Sequence, residues 1–227
     1  MIFIKKSREP RSLLEYRHQE FASFDGMDEY VKNDLRNALL SEQGHICAYC
    51  MGQIDEKTTK IEHLVARNKE NELVYSNLLA VCRGNEGQPP NRQHCDTRKG
   101  NRPLSLSPLN ESDMAKIYYS NSGRIHSEDT SDVELKYENN GIVNSIVTNP
   151  DKDLEESLNL NDVYGVILKS RKTALQSLIK KYYSYTKGRD KKQFLEKMKD
   201  YYTREEDPKK PYVGILIWYI NRKLKNK

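Results

Sequence analysis

The sequence predicts an α+β fold, a small β–β–α unit clipped by a metal and set between helical flanks. Three observations predict it. All four cysteines, Cys47, Cys50, Cys82 and Cys95, fall in one stretch of a 227-residue chain. Between the two cysteine pairs lie two short apolar runs, 60–63 and 77–82, which read as strands joined by the polar loop 67–72. Toward both ends, apolar residues recur at helical spacing.

Taken in order, residues 10–24 and 27–43 are expected to be helical, broken at Asp25-Gly26. Tyr30, Val31, Leu35, Ala38 and Leu39 carry the periodicity of the second, and Gly44 is placed to cap its C-terminus. Residues 83–94, rich in Gly, Pro, Asn and Gln, form a loop, and a short helix begins at Asp96. Residues 102–112 carry two prolines and three serines and form a connector. Lys116–Tyr119 and Ile142–Val147 flank the turn signals Asn121-Ser122-Gly123 and Asn139-Asn140-Gly141, the pattern of a small sheet or hairpin. Helices are expected over 160–184, 189–203 and 211–225. The organisation is then an N-terminal helical segment (1–44), a core (45–110), a β or irregular connector (111–150) and a basic helical C-terminal region (151–227).

Hydrophobic residues make up 36% and charged residues 31% of the chain, with mean hydropathy −0.88. That is a thin core for this length, which a structural metal would support. No apolar run approaches the ~18 residues of a membrane span. The opening residues Met1–Lys6 lack the apolar region and cleavage site of a secretory signal. A cytoplasmic, bacterial location is the expectation. Thiols stay reduced there, so clustered cysteines read as metal ligands before disulfides. Net charge is +5, unevenly spread: residues 165–227 hold 18 Lys/Arg against 6 Asp/Glu. Such a region suits a polyanion or serves as a solvated helical surface.

Cys47 and Cys50 form a C-A-Y-C knuckle, a spacing that lets one tight turn present two sulfurs to one zinc ion. Cys82 and Cys95 are separated by twelve residues, so the tertiary fold must bring them together. His45 and His94 flank the frame and could replace a cysteine; with four thiolates available they read as bystanders.

Inside the frame, Glu62 and His63 are adjacent at the end of the first strand, Asn77 opens the second, and Asp96 follows the last cysteine. Phosphodiester hydrolysis needs an activated water and a cation at the leaving oxygen. Histidine is suited to the first task and a pair of carboxylates to binding Mg²⁺ for the second. Asn77 could hold the histidine-bearing loop and orient the imidazole by hydrogen bonding. The blander roles are a surface carboxylate for Glu62, a structural histidine for His63, a turn for Asn77, a helix N-cap for Asp96, and generic phosphate contacts for Arg98 and Lys99.

The order Cys-x-x-Cys, Glu-His, Asn-Leu, Cys, Cys-Asp-x-x-Lys-Gly resembles the HNH endonucleases with a four-cysteine zinc and a ββα-metal fold, over about residues 45–103. The resemblance implies structural zinc on Cys47, Cys50, Cys82 and Cys95, His63 as general base, Asn77 as the middle Asn, Glu62 and Asp96 as ligands of a catalytic Mg²⁺ (or Mn²⁺), and Lys99 where many members carry a lysine. Two positions depart from it: Glu62 stands where Asp is commoner, and Asp96 where Asn or His is usual. The wider layout, with a helix ending Leu39-Leu40-Ser41-Glu42-Gln43 before the knuckle, a long insert before His94-Cys95-Asp96 and a charged helical tail, is similar to the PtuB family. These are the HNH subunits of Septu-type anti-phage systems, some accompanying retrons. That likeness implies an ABC/SMC-type ATPase partner (PtuA), in some systems a retron reverse transcriptase–msDNA complex, and DNA or tRNA as substrate. The alternative is a zinc-stabilised adaptor without catalysis.

In the tail, Lys180-Lys181-Tyr182-Tyr183 and Tyr201-Tyr202-Thr203-Arg204 interleave cations with aromatics, suited to nucleic acid or to core packing. Val213, Ile215, Leu216, Ile217, Trp218 and Ile220 are apolar enough to enter the core or to dock a partner.

Overall fold

The computed structural model describes residues 1–139, 141–185, 190–204 and 208–225. The fold is α+β, with small antiparallel sheets among helices. Helices α1 (Arg11–Arg17) and α2 (Glu29–Gln43) come first. Asp28 caps α2 by accepting from the Val31 N–H, and Gly44 ends it in the left-handed region (φ 68°). The first helix is shorter than its sequence pattern, because the chain turns at 18–27 to carry Phe24 toward the strands.

Strands β1 (Thr59–His63) and β2 (Leu78–Cys82) pair antiparallel, Glu62 opposite Leu79 and His63 opposite Leu78. A single 3-10 turn, Tyr75–Asn77, leads into β2. β2 is apolar on both faces because both are covered. Gln43, at the end of α2, serves as a strand neighbour along its open edge. Its amide donates to the Ala80 carbonyl (2.7 Å) and accepts from the Ala80 N–H (2.8 Å). The helix expected at Asp96 begins one residue earlier, as α3 (Cys95–Lys99).

The connector yields two hairpins. After α4 (Glu111–Ala115), β3 (Ile117–Tyr119) pairs with β4 (Ile125–Ser127), and β5 (Val133–Asn139) with β6 (Ile142–Thr148). Beyond α5 (Pro150–Lys152) lies a π-helical turn, Asp153–Ser157, inside which the sequence pattern gave no sign of a break. Its cause is Asp153, fully buried and accepting from the Ser105 N–H (2.5 Å), the Ser105 hydroxyl (2.6 Å), the Thr148 hydroxyl (2.8 Å) and the Ser157 hydroxyl (3.3 Å). This carboxylate joins the connector, β6 and the turn. The next helix, α6 (Val166–Tyr185), starts later than residue 160, after a stretch in which Asn159 stands in the left-handed region (φ 48°). Helices α7 (Lys191–Thr203) and α8 (Val213–Lys225) follow. The apolar face of α8 enters the core: Val213, Ile215, Leu216 and Ile220 are buried, and Ile217 and Trp218 pack partly against it.

One apolar core runs through all four expected segments, from Leu13 and Leu35 through Leu78 to Leu175 and Ile220. Backbone bonds cross between them as well: Cys95 N–H to the Leu158 carbonyl (2.9 Å), Lys209 N–H to Gly44 (2.9 Å), and Tyr212 N–H to Met51 (2.8 Å). Among the described residues, no helix is long and apolar enough to cross a membrane.

Asp153→Ala would strip several donors of their buried acceptor. The expected cost is about 2–4 kcal/mol, seen as a thermal midpoint roughly 4–16 °C lower for a chain of this size. An unchanged melting curve would show that the four bonds are not needed.

Candidate metal centre and active site

The knuckle turn, the end of β2 and the start of α3 bring all four cysteines to one place. Their sulfurs lie within 4.8 Å of one another, with no other His, Cys, Asp or Glu among the described residues in the group. Cys47 Sγ is 3.9 Å from Cys95 Sγ, and Cys50 Sγ is 3.8 Å from Cys82 Sγ. A tetrahedral ion bound at 2.3 Å to four sulfurs separates them by about 3.8 Å, so the group could hold a structural metal such as zinc. His94 sits at its edge, Nδ1 3.2 Å from Cys95 Sγ, as a neighbour of the sulfurs.

The long gap in the second pair is closed at its base. The Gly84 carbonyl accepts from the His94 N–H (3.0 Å), so the loop leaves and returns at one point. Gly84 has φ +57°, and a Cβ there would lie 2.1 Å from the His94 carbonyl oxygen. A glycine is required on both counts. Asn159 fastens the outer part of the loop through bonds to the carbonyls of Asn91 and Gln93.

Alternation along β1 turns Lys60 and Glu62 toward α3. Glu62 is 5% exposed, accepts from the Tyr49 hydroxyl (3.0 Å) and pairs with Lys99 Nζ (2.8 Å). Asp96, in the first turn of α3, pairs with Lys60 Nζ (3.0 Å) and shares a hydrogen bond with Glu62. The residue in the N-cap position is His94, so Asp96 is not the cap. Burial, reinforced by the Asp96 contact and opposed by Lys99, pushes the Glu62 carboxyl up to about 8. Burial pushes Asp96 up too, but the hydrogen bonds from Glu62 and Lys60 outweigh it and leave its carboxyl below the usual range. The two carboxyls are thus driven apart, Glu62 toward its protonated form and Asp96 toward its ionised one. Lys99 is 2% exposed and also donates to the carbonyls of His63 (3.3 Å) and Gly100 (3.2 Å), so it braces α3 against β1.

His63 ends β1 on the opposite side of the strand from Glu62. Its ring packs edge-on to Phe24 (centroids 4.7 Å apart), and Nε2 lies 3.0 Å from the Glu72 carbonyl. A carbonyl can only accept, so Nε2 carries the proton and Nδ1 the lone pair. Burial lowers the imidazole pKa, partly opposed by the Glu72 bond, and favours this neutral form. Asn77 clasps the loop after His63: its Oδ1 accepts from the Val65 N–H (2.8 Å) and its Nδ2 donates to the Val65 carbonyl (3.0 Å). The loop-holding role expected of Asn77 is present. The ring itself is oriented by Phe24 and Glu72, not by Asn77, and the sequence gave no sign of either. Buried Glu62 and Lys99 thus meet half-buried Asp96 in one cluster; His63 stands beside it, linked through its main-chain carbonyl to Lys99.

Sequence reasoning also missed Tyr49, inside the knuckle, and Arg171, on α6. Arg171 is fully buried, donates to the Leu160 carbonyl and to Asn161 Oδ1 (3.2 Å), and has Nε and Nη1 without partners. Its guanidinium lies within electrostatic reach of Cys50 and Cys95. A lone arginine more than seventy-five positions beyond the last cysteine carries no pattern that would signal this.

No family profile matches the sequence, and no curated protein or solved structure matches it.

Gly84→Ala would force a left-handed alanine, costing about 1–2 kcal/mol, against a carbonyl it cannot displace without moving His94 and Cys95. The purified variant should hold well under one metal per chain by elemental analysis and should melt lower. Full metal content would show that the loop base does not set the sulfur geometry.

Proposed function

We propose that the chain is a metal-dependent endonuclease of the HNH type, hydrolysing phosphodiester bonds in nucleic acid. The observation that carries this reading is the meeting of a buried carboxyl group, Glu62 from β1, with a half-buried one, Asp96 from α3, inside a four-sulfur frame and one residue from a neutral histidine. A strand pair followed by a short helix, with these side chains at its strand end and first turn, fits the ββα-metal unit that the motif order implies.

Zinc is the metal that suits the cysteine group. The donors are four soft sulfurs at tetrahedral separation. A tetrathiolate zinc carries a net charge of about −2, and Arg171, buried with two unpartnered N–H groups, supplies the compensating positive charge such a site needs. Zinc here holds the fold and leaves no open position for chemistry.

The Glu62–Asp96 pair offers hard oxygen donors suited to Mg²⁺ or Mn²⁺. Such an ion, when bound, would neutralise charge on the scissile phosphate and the leaving oxygen. The lysines at both carboxylates currently provide the positive charge there. His63, with its lone pair on Nδ1, accepts the proton of the attacking water, and the Glu72 carbonyl stabilises the imidazolium that results. Asn77 keeps the loop fixed while the ring changes charge. Lys99 holds Glu62 in position. DNA is the first substrate expected and tRNA the second. The biological setting this reading carries is an anti-phage complex with an ABC/SMC-type ATPase.

The second reading, a zinc-stabilised adaptor without chemistry, draws on the lysine pairing of both carboxylates. His63→Ala separates the two. On the nuclease reading it lowers cleavage by roughly 10²–10⁴-fold while metal content at the cysteines stays at one per chain. Cleavage equal to that of the unaltered protein would remove His63 from the chemistry. A protein that cuts neither DNA nor tRNA with Mg²⁺ or Mn²⁺ present, alone or with its ATPase, would favour the adaptor.

Arg171→Met should release zinc to a chelator on the order of 10–100-fold faster, with Arg171→Lys between it and the unaltered protein. Equal release rates for all three would rule out charge compensation by Arg171.

A further inference from the structure

Three of the eighteen Lys/Arg of residues 165–227, Lys169, Lys181 and Lys210, line one groove. Helix α6 has no acidic residue in its twenty positions. On one face it carries Lys169, Thr173, Ser177 and Lys181 at four-residue intervals, about 6 Å apart along the axis, so the two lysines stand about 18 Å from each other. This row forms one wall of a cavity of about 550 Å³ whose other side includes Tyr202, Lys210, Pro211, Tyr212 and Leu216.

Among the described residues, no acidic residue lines this cavity. The groove over the N-terminal segment includes Glu9, and that beside loop 64–68 includes Asp113 and Glu138, so their basic residues have carboxylates at hand. Lys169, Lys181 and Lys210 are exposed and make no ion pair among the described residues. They stand over an apolar floor of Ala174, Leu178 and Leu216.

The groove is also fixed to the metal frame. Tyr212 is a non-glycine residue in the left-handed region (φ 59°), as is Met51 just after the knuckle (φ 60°), and the Tyr212 N–H donates to the Met51 carbonyl at 2.8 Å. Two strained residues joined by a backbone bond persist only where surrounding packing over-determines them. The Tyr212 hydroxyl meets Ser170 on α6 and lies 3.4 Å from where a Cβ on Gly52 would be. One end of the lysine row therefore abuts the zinc knuckle.

From these observations we infer that the α6–α8 groove binds a single strand of nucleic acid through its phosphodiester backbone. Lysines at both ends of an 18 Å row, with hydroxyls between them, match an extended chain of negative charges. A lone phosphate would reach one lysine and leave the other unmatched. Half-buried Ala174 and Tyr212, at the edge of the apolar floor, give the bases a surface that needs no particular sequence. This inference rests on nucleic acid being what the protein acts upon. It adds an anchoring site distinct from Glu62, His63 and Asp96, and it makes binding independent of cleavage.

The test is fluorescence anisotropy of the full chain with labelled oligonucleotides of about 12 nucleotides, single-stranded DNA, single-stranded RNA and duplex DNA, without Mg²⁺ and over a range of salt. K169Q/K181Q/K210Q should bind single strands at least tenfold more weakly. It should also reduce the slope of log K against log salt by about 2, near 0.7 for each phosphate no longer neutralised. The control K191Q/K197Q/K199Q removes the same charge from α7 and should change neither. Preference between the DNA and RNA probes reports which backbone the groove takes. The inference is overturned if the unaltered protein binds neither single strand, if the groove variant keeps its affinity and salt slope, if the α7 control loses as much, or if poly-glutamate of equal charge competes as well as the oligonucleotide. In each of those cases cleavage by the unaltered protein, measured separately with His63→Ala as control, still decides the nuclease reading on its own.

Discussion

The convergence of four sulfurs is the constraint on which the rest of this structure depends. The knuckle after α2, the end of β2 and the start of α3 are separate in sequence, and each is short. Two five-residue strands and a five-residue helix have little cohesion of their own. Fastened at Cys47, Cys50, Cys82 and Cys95, they become a unit in which α3 has one position relative to β1. That position lets Asp96 reach Glu62 and Lys99 reach both Glu62 and the His63 carbonyl. Distant parts of the chain then lean on the same point: α6 through Arg171, α8 through Tyr212 and Met51, and the π-helical turn through the bond from Cys95 to Leu158.

Charge explains much of how the interior is arranged. A buried carboxylate is costly unless matched. Glu62 is pushed toward its protonated form and takes a lysine, Asp96 is held toward its ionised form and takes another, and Asp153 gathers hydroxyl and amide donors from three segments. Arg171 is the exception, a buried cation with N–H groups unpaired. Its anomaly and the crowding of four thiols are complementary. A divalent ion bound there would let all four sulfurs ionise, and the resulting excess of negative charge would give the guanidinium its counter-charge.

The division of labour at the candidate site is equally physical. Neighbouring residues on a strand face opposite ways, so Glu62 and His63 cannot share one environment. The carboxyl faces the helix and the lysines; the imidazole faces Phe24 and the Glu72 carbonyl, which fixes its tautomer. What joins the two sides is main chain: the His63 carbonyl on Lys99, and the Val65 backbone in the grip of Asn77.

Much of this was legible in the sequence, because local signals record local physics. The capping Gly44, the strand runs, the Cys-x-x-Cys knuckle and the apolar face of α8 each depend on residues a few positions apart. The candidate residues Glu62, His63, Asn77 and Asp96 were legible for the same reason, as chemistry-bearing types at the ends of predicted elements. What tertiary structure alone decided were the pairings across long separations. Asp153 is buried because donors from Ser105 and Thr148 arrive there. Gly84 is required because His94 returns to within contact of it. Arg171 belongs with the cysteines because the fold brings its guanidinium within electrostatic reach of Cys50 and Cys95. The sequence determined which groups the chain carries and the elements that bear them. The fold decided which of those groups meet, since a buried charge or a strained turn is fixed by whatever distant residue comes to satisfy it.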